Sequence, residues 1–459
     1  MNATMSAGTD RRPRADTQRA GSALPRVLAG VRDGAHLTLA QHDAVHGPLP
    51  AVRGRGRRHA REGAARMIEE IAQSGLRGHG GAAFPVATKM HAVANARGRA
   101  IVVANATEGE PASLKDRTLL ELLPHLVLDG GVLAAEALGA DRLLVCVCDS
   151  SASAYEAATH ALAERADHNE SGVQVELVRT PRHYVAGQES ALVNFLNGGP
   201  ALPTFTPPMV FERGVARRPT LVNNAETLAH MALIARHGAA WFRELGTASQ
   251  PGSALVTVSG PVVHPGVYEV EHGSSLASLI DACGGASVRL RGALIGGYAG
   301  TWIGEQHLRT AALSNDHLAA HGATLGAGVV VLLSERACPV AETARAARWM
   351  ADQSARQCGP CLNGLYALAD TVAELVRGEA GPTAGKRIDR LASLVARRGA
   401  CGHPDGAVNM ILSATEAFAE DFSRHSQHGP CELCSRPAEL PLPARPVDRD
   451  ARRGAEGAR

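Results

Sequence analysis

Two unbroken apolar runs, residues 99–105 and 142–148, constrain this chain more than any other feature in it. Each has the length of a strand and lacks the polar alternation of a half-exposed one, so both read as strands buried on two faces. A helical pattern over 118–138 separates them, a second over 153–165 follows, and residues 173–179 read as another strand. Strand and helix alternating in this way predict a parallel sheet with crossover helices. Ligands of open α/β sheets sit beyond the carboxyl ends of the strands. There the first run gives way to a dense polar stretch holding Asn105, Glu108, Glu110, Lys115 and Asp116. Cys146 and Cys148, inside the second run, read as small core hydrophobes.

Ahead of the first strand, an amphipathic helix over 64–73 leads into residues 74–89, where Gly75, Gly78, Gly80 and Gly81 precede Phe84 and Lys89. Glycines allow positive φ and let backbone N–H groups approach a phosphate; a plain surface turn is the other reading. The spacing is neither GxGxxG nor GxxxxGK[ST]. Lysine is scarce: only Lys89, Lys115 and Lys386 occur among 47 basic residues, and a lysine kept beside the loop suits a phosphate. Two further turns stand out, one with Gly187 and Glu189, the other with Asn223, Asn224 and Thr227. Paired amides suit the edge of a heteroaromatic ring or ribityl hydroxyls, though asparagines also simply form turns.

The chain has 459 residues, room for several domains, and a formal charge of +2 with 3% aromatics, which implies no broad nucleic-acid footprint and no base-stacking platform. No apolar run reaches membrane-spanning length, so no direct membrane insertion is expected. Residues 1–30 read as a disordered leader without a secretory h-region and 435–459 as a disordered tail, which makes the cytoplasm the expected compartment. Beyond a linker near 246–252, a hairpin, a helix and further strands predict a small α+β module of the β-grasp kind, with Cys283 packed inside. From 339 the pattern turns helical, and helices over 341–353, 364–377, 386–397 and 407–425 predict a four-helix bundle. Five of the nine cysteines (Cys358, Cys361, Cys401, Cys431, Cys434) lie at the ends of these helices, which points to a metal or a cluster.

Taken in order, these motifs resemble the FMN-carrying, NADH-oxidising subunit of respiratory complex I, a family also found in soluble NAD-linked hydrogenases and formate dehydrogenases. The resemblance runs from about Ser74 to His425. It implies a Rossmann-like α/β FMN domain (31–245), a β-grasp domain of the SLBB type (250–335) and a helical iron–sulfur domain (336–434). By position, Gly78, Gly80 and Lys89 would contact the flavin phosphate and ribityl groups. Asn105 and Glu108 would line the ring, with Gly187, Glu189, Asn223, Asn224 and Thr227 around the rest. The chemistry implied is electron transfer between FMN and an iron–sulfur cluster, handed on to a ferredoxin-like or thioredoxin-fold partner.

Departures from the family pattern matter as much. Thr107, Gln188, Thr204, Thr206 and Met209 replace family acids, bases and an aromatic, and residues 90–93 lack the aromatics usual after the lysine. Phe84 and Glu110 of the nicotinamide cleft remain, yet this side is eroded, and FMN binding with weak or absent NADH oxidation is expected. A genuine NADH dehydrogenase is the alternative. At the cluster, Cys358, Cys361 and Cys401 match three family ligands and Ala355 stands at the first. A 3Fe–4S cluster, or a 4Fe–4S cluster completed by Cys431, would follow, with Cys434 and Cys338 as the next substitutes. Cys358 and Cys361 with Cys431 and Cys434 also permit a zinc site in a non-catalytic structural relative.

Overall fold

The computed structural model describes residues 24–31, 34–50, 52, 57–166 and 171–443. Its first sheet has four strands, β1 (Ile101–Ala106), β2 (Arg142–Cys148), β3 (Gln174–Thr180) and β4 (Thr220–Asn224), in the order β3-β2-β1-β4. Every neighbouring pair is parallel, as the apolar runs require. β4 is new relative to the sequence reading, which saw only a turn at 219–227; its five residues are too few to show a pattern. The helix expected over 118–138 is two, Lys115–Leu122 and Pro124–Leu138, bent by 98°. Pro124 causes the break, because proline has no N–H to donate and opens a helix far more easily than it continues one. Among the described residues no single helix is long and apolar enough to cross a membrane.

The second sheet is mixed. Strands β5 (Ser253–Ser259), β6 (Gly266–Glu271), β7 (Leu290–Ile295), β8 (Thr301–Gly304) and β9 (Val329–Ser334) run in the order β6-β5-β9-β7-β8. One face packs on the helix Leu276–Ala282 and encloses Cys283. The other, through Leu294, Val331 and Leu333, packs on the helical region, so the two share a core. That region contains Pro339–Asp352, Leu365–Arg377, Ala384–Val395, His403–Ala417 and Ala419–His428. The helix expected over 407–425 is thus interrupted at Phe418, whose φ of −123° and ψ of 39° are not helical.

Both expected disordered ends reach too far inward. Val27 and Leu28 are buried, and the backbone N–H groups of Arg26, Val27 and Leu28 all donate to the Glu269 carboxylate, at 2.9, 3.1 and 3.1 Å. Leu440 is buried too, and Glu439 accepts from the Ser334 N–H at 2.9 Å. These short segments carry too little local pattern to reveal that they pack. Residues 1–23 and 444–459, the rest of those expectations, lie outside the described residues.

Two outcomes follow for stability. Replacing Glu269 by Ala strands three buried N–H groups and the Ser253 hydroxyl, and should cost on the order of 3 kcal/mol, read as a lowered urea midpoint with earlier proteolysis near residue 28. Several histidines are buried in the neutral form: desolvation lowers His46 to about 3, and His272 and His403 to about 4. The unfolded chain binds those protons from about pH 6.5 downward and the folded chain does not, so the histidines' contribution to stability should fall as pH drops from about 6.5 towards 4. Calorimetry in buffers of different ionisation heat should show proton uptake on unfolding in that window, reduced by about one proton in His46→Asn.

Candidate functional site

The strand order reverses at β1, from which β2 lies on one side and β4 on the other. The crevice beyond the carboxyl ends of β1 and β4 is therefore the expected ligand position in an open α/β sheet. Asn105 and Asn224 face one another across this pair in register. The glycine loop closes over it. Its His79 N–H donates to Thr227 Oγ1 at 2.9 Å, Gly81 takes a φ of +109°, and a Cβ on Gly80 would stand 3.4 Å from the Asn224 Cβ. The loop thus lies on the first turn of the helix Ala225–His237, whose N-terminal dipole and N–H groups favour an anion.

The remaining residues expected here come together around the same crevice. Lys89 Nζ, partly exposed, donates to Glu189 Oε1 at 2.8 Å and to the Val222 carbonyl at 2.9 Å. Asn105 Nδ2 donates to the Gly187 carbonyl at 2.8 Å. Gly187 is required by contact, since a Cβ there would lie 2.6 Å from the Thr107 carbonyl oxygen. Asn223 is buried, its amide against the Met231 sulfur, so it supports β4 from behind. Glu108 accepts from the Ser113 hydroxyl at 2.5 Å and from the N–H groups of Asp116 and Arg117, both at 3.2 Å. Burial, reinforced by the Asp116 charge, pushes its carboxyl up to about 7.

Glu110, expected in a nicotinamide cleft, lines a cavity together with Glu108 and Tyr184. It is buried, and its carboxylate accepts from the N–H groups of Tyr298 at 2.8 Å and Ala112 at 3.2 Å, which tie the polar stretch after β1 to the second sheet. Desolvation raises it to about 7, against the pull of those two donors. Phe84 is about half exposed. Thr204 and Thr206 border an open groove of about 700 Å³ into which Arg213 and Arg217 also face.

Sequence reasoning missed the floor of the site. Lys115 Nζ is buried among Asp116 Oδ1 at 2.8 Å, Glu226 Oε2 at 3.0 Å and Asn224 Oδ1 at 3.1 Å. Burial works against the ammonium, but Asp116 and Glu226 more than offset it and hold the lysine charged. Beneath the loop the His79 ring stacks on His230 at 4.7 Å, with Glu226 3.8 Å from each. Lys115, Asp116 and Asn224 each stood out in the sequence; that Lys115 meets Asn224 and Glu226, more than a hundred residues away, did not.

The cysteines divide into two groups at opposite ends of the helical region. Cys358 and Cys361 lie in the connection between Pro339–Asp352 and Leu365–Arg377, and Cys401 just precedes His403–Ala417. The three thiols interact with one another, and backbone N–H groups of Ala400 and Cys361 stabilise the Cys358 thiolate. Cys431, expected as their fourth member, is elsewhere. After His428 the chain turns at Gly429 (φ +80°), and Pro430 packs against Gly378 at the far end of Leu365–Arg377. Cys431 and Cys434 consequently meet Cys338 and His425, the latter two buried. The intervening helix Pro339–Asp352 has 14 residues, which makes it about 21 Å long. Cys431 and Cys434 thus belong to a group apart from Cys358, Cys361 and Cys401, and neither the cluster completed by Cys431 nor the zinc set drawn from Cys358, Cys361, Cys431 and Cys434 is assembled here.

A continuous contact joins the crevice to the first cysteine group. Tyr184, in the short turn Tyr184–Gly187, packs edge-on against Trp349 and against His403, both with ring centroids 5.3 Å away, and donates its N–H to Gln353 Oε1 at 3.0 Å. His403 in turn donates from Nε2 to the Met350 carbonyl at 2.8 Å.

The donor set fits a phosphorylated flavin: a glycine loop over a helix N-terminus, a lysine ammonium, and amides at two strand ends. Three family models match the chain: the Nuo51 FMN-binding domain over residues 71–233, the SLBB domain over 255–295, and the NADH-ubiquinone oxidoreductase-F iron–sulfur binding region over 341–425. The chain is 30% identical to the NADH-quinone oxidoreductase subunit designated F 2 in Rhizobium meliloti (strain 1021), across 80% of this chain and 90% of that one. It is 28% identical to the NADP-reducing hydrogenase subunit HndC of Solidesulfovibrio fructosivorans, across 80% and 77%. The solved structure of an NAD+-reducing [NiFe]-hydrogenase in its H2-reduced state superposes with a TM-score of 0.75 at 29% identity, over 80% of this chain. This chain spans 64% of that hydrogenase chain. With an FMN domain, an SLBB domain and an iron–sulfur region in this order, the chain belongs to the NADH-ubiquinone oxidoreductase-F family and transfers electrons between FMN and an iron–sulfur cluster.

Proposed function

We propose that FMN lies in the crevice between β1 and β4 and exchanges electrons with a cluster held by Cys358, Cys361 and Cys401, with NADH a poor donor. The observation that carries this reading is the convergence of the glycine loop, Lys89, Asn105, Glu189, Asn224 and Thr227 at the strand-order reversal. FMN, when bound, supplies the conversion between two-electron hydride chemistry and one-electron relays. Lys89 contributes the positive charge for the phosphate and Glu189 orients it. Thr227 holds the loop through the His79 N–H, and Asn105 braces the turn at Gly187. Tyr184 and His403 keep flavin site and cysteines in one packed body, which short-range electron transfer needs.

Cysteines provide three ligands, and Ala355 leaves one corner of the cluster without a protein sulfur. A cluster of the 3Fe–4S type, or a 4Fe–4S cluster with one non-cysteine ligand, fits this set. We read the helical region as a four-helix bundle closed by the short helix Ala419–His428, and the second sheet as a β-grasp. The domain limits that go with this reading are 31–245, 250–335 and 336–434. Having three cluster cysteines and no ferredoxin-type run, the chain hands electrons to a ferredoxin-like or thioredoxin-fold iron–sulfur partner, in the cytoplasm. Genuine NADH dehydrogenase activity is the second reading, favoured by the two arginines facing the groove beside residues 204–206.

Anaerobic spectra separate the two readings. Dithionite should bleach the flavin at once, and NADH should do so slowly or not at all; bleaching by NADH within the mixing time would establish the dehydrogenase instead. Lys89→Met should weaken FMN binding about tenfold, near 1.4 kcal/mol, in a fluorescence titration. Ala355→Cys should raise iron per chain and replace any oxidised 3Fe–4S resonance with that of a reducible 4Fe–4S cluster; unchanged iron and spectrum would show that residue 355 does not face the cluster.

A further inference from the structure

Cys338, His425, Cys431 and Cys434 lie at the end of the helical region remote from the cluster cysteines, and the flavin-to-cluster reading gives them no role. We propose that these four residues bind one structural zinc ion. Their ligand atoms all lie within 4.8 Å of one another. The His425 Nε2 is 3.5 Å from the Cys338 sulfur and 3.3 Å from that of Cys434. Cys434 Sγ is 3.5 Å from Cys338 Sγ and 3.8 Å from Cys431 Sγ. A tetrahedral zinc, about 2.3 Å from sulfur and about 2.0–2.1 Å from nitrogen, spaces its ligand atoms roughly 3.5–3.8 Å apart. Four of the six edges of the tetrahedron formed by these atoms are thus already near the length that one ion requires, and the other two lie within 4.8 Å.

The same distances argue against other occupants. In a cubane each cysteine binds a different iron, so its sulfurs stand wider apart than those around a single ion. The cysteines are free thiols, and none of the three approaches another to bonding distance. Three cysteines and one histidine are a closed structural set for zinc, with no position left for a substrate.

The surroundings support the histidine as a ligand. Its Nδ1–H donates to the Asp421 carbonyl at 2.7 Å, which leaves Nε2 as a lone-pair donor facing the three sulfurs. Asp421 is itself held, its carboxylate accepting from Arg291 of β7 at 2.8 and 3.0 Å. At Cys338 the Ala341 N–H donates to the sulfur at 3.4 Å. Binding converts three thiols to thiolates, releases three protons and takes the histidine through its Nε2 lone pair; no electron moves.

The fold suggests what the ion does. Cys338 joins β9 to the first helix of the region, His425 belongs to the last helix, and Cys431 and Cys434 flank the short turn Glu432–Ser435. An ion here pins the beginning of the helical region to its end, closing a loop of 96 residues between Cys338 and Cys434. The Arg291–Asp421 pair carries that closure to the second sheet.

Elemental analysis of anaerobically purified full-length protein should find about one zinc per chain beside the iron. Cys431→Ser with Cys434→Ser should lose the zinc and keep iron and flavin, and Cys358→Ser should do the reverse. His425→Cys should retain zinc on four sulfurs. X-ray absorption at the zinc edge of the unmutated protein, which is independent of how the variants fold, should give three sulfurs and one nitrogen. Zinc that persists in the double serine variant, iron in place of zinc at these residues, a different ligand count at the edge, or a Cys431–Cys434 disulfide without metal would each overturn the proposal.

Discussion

One buried ammonium holds the flavin crevice together. Lys115 reaches Asp116 on its own helix, Asn224 at the end of β4 and Glu226 on the helix that follows. Glu226 also accepts from the Leu255 N–H of β5 at 2.6 Å. The first sheet, its first crossover and the second sheet therefore meet at a single charge. Removing one member of such a buried set leaves the others uncompensated, typically at a cost of about 3–5 kcal/mol. A lysine suits this position because its compact head contacts three partners in different directions, whereas a planar guanidinium favours a single bidentate one.

From that node the two cofactor positions inherit their relation. Glu110 fastens the polar stretch after β1 to Tyr298, and Tyr184 fastens the Gly187 turn to Trp349 and His403. The crevice and the Cys358–Cys361–Cys401 group are thereby joined through packed side chains. At the opposite end of the same helices Cys338, His425, Cys431 and Cys434 gather. The helical region thus carries a cysteine group at each of its two ends.

Much of this was legible in the sequence, for identifiable reasons. β1 and β2 lie at the apolar runs because continuous Val, Ile and Leu leaves a short segment no alternative to double-sided burial. Asn105, Asn224 and Thr227 stand at or just after the carboxyl ends of strands that converge in a parallel sheet, and the family resemblance joined Gly78, Gly80 and Lys89 to them. The reading failed where local pattern was weak or was overridden. Pro124 broke a helix whose hydrophobic spacing ran straight through it. Residues 24–30 pack although their composition resembles that of a disordered leader. The hydrogen bond that Glu110 accepts from the Tyr298 N–H, a partner 188 residues away, had no local signal either.

Cysteine spacing shows most clearly where sequence stops. A C-x2-C pair announces a metal or cluster ligand, since two thiols one turn apart can share an ion, and the sequence by itself determined that much for Cys358–Cys361 and Cys431–Cys434. It also determined the parallel sheet and the glycine loop ahead of its first strand, both encoded in contiguous residues. Which pairs join was decided only by the tertiary structure. The turn at Gly429 and Pro430 and the direction of Pro339–Asp352 send Cys431 to His425 and Cys338, a group separate from Cys358, Cys361 and Cys401. A ligand set is a property of side chains meeting in space, and chain direction after a turn depends on the surface against which it packs.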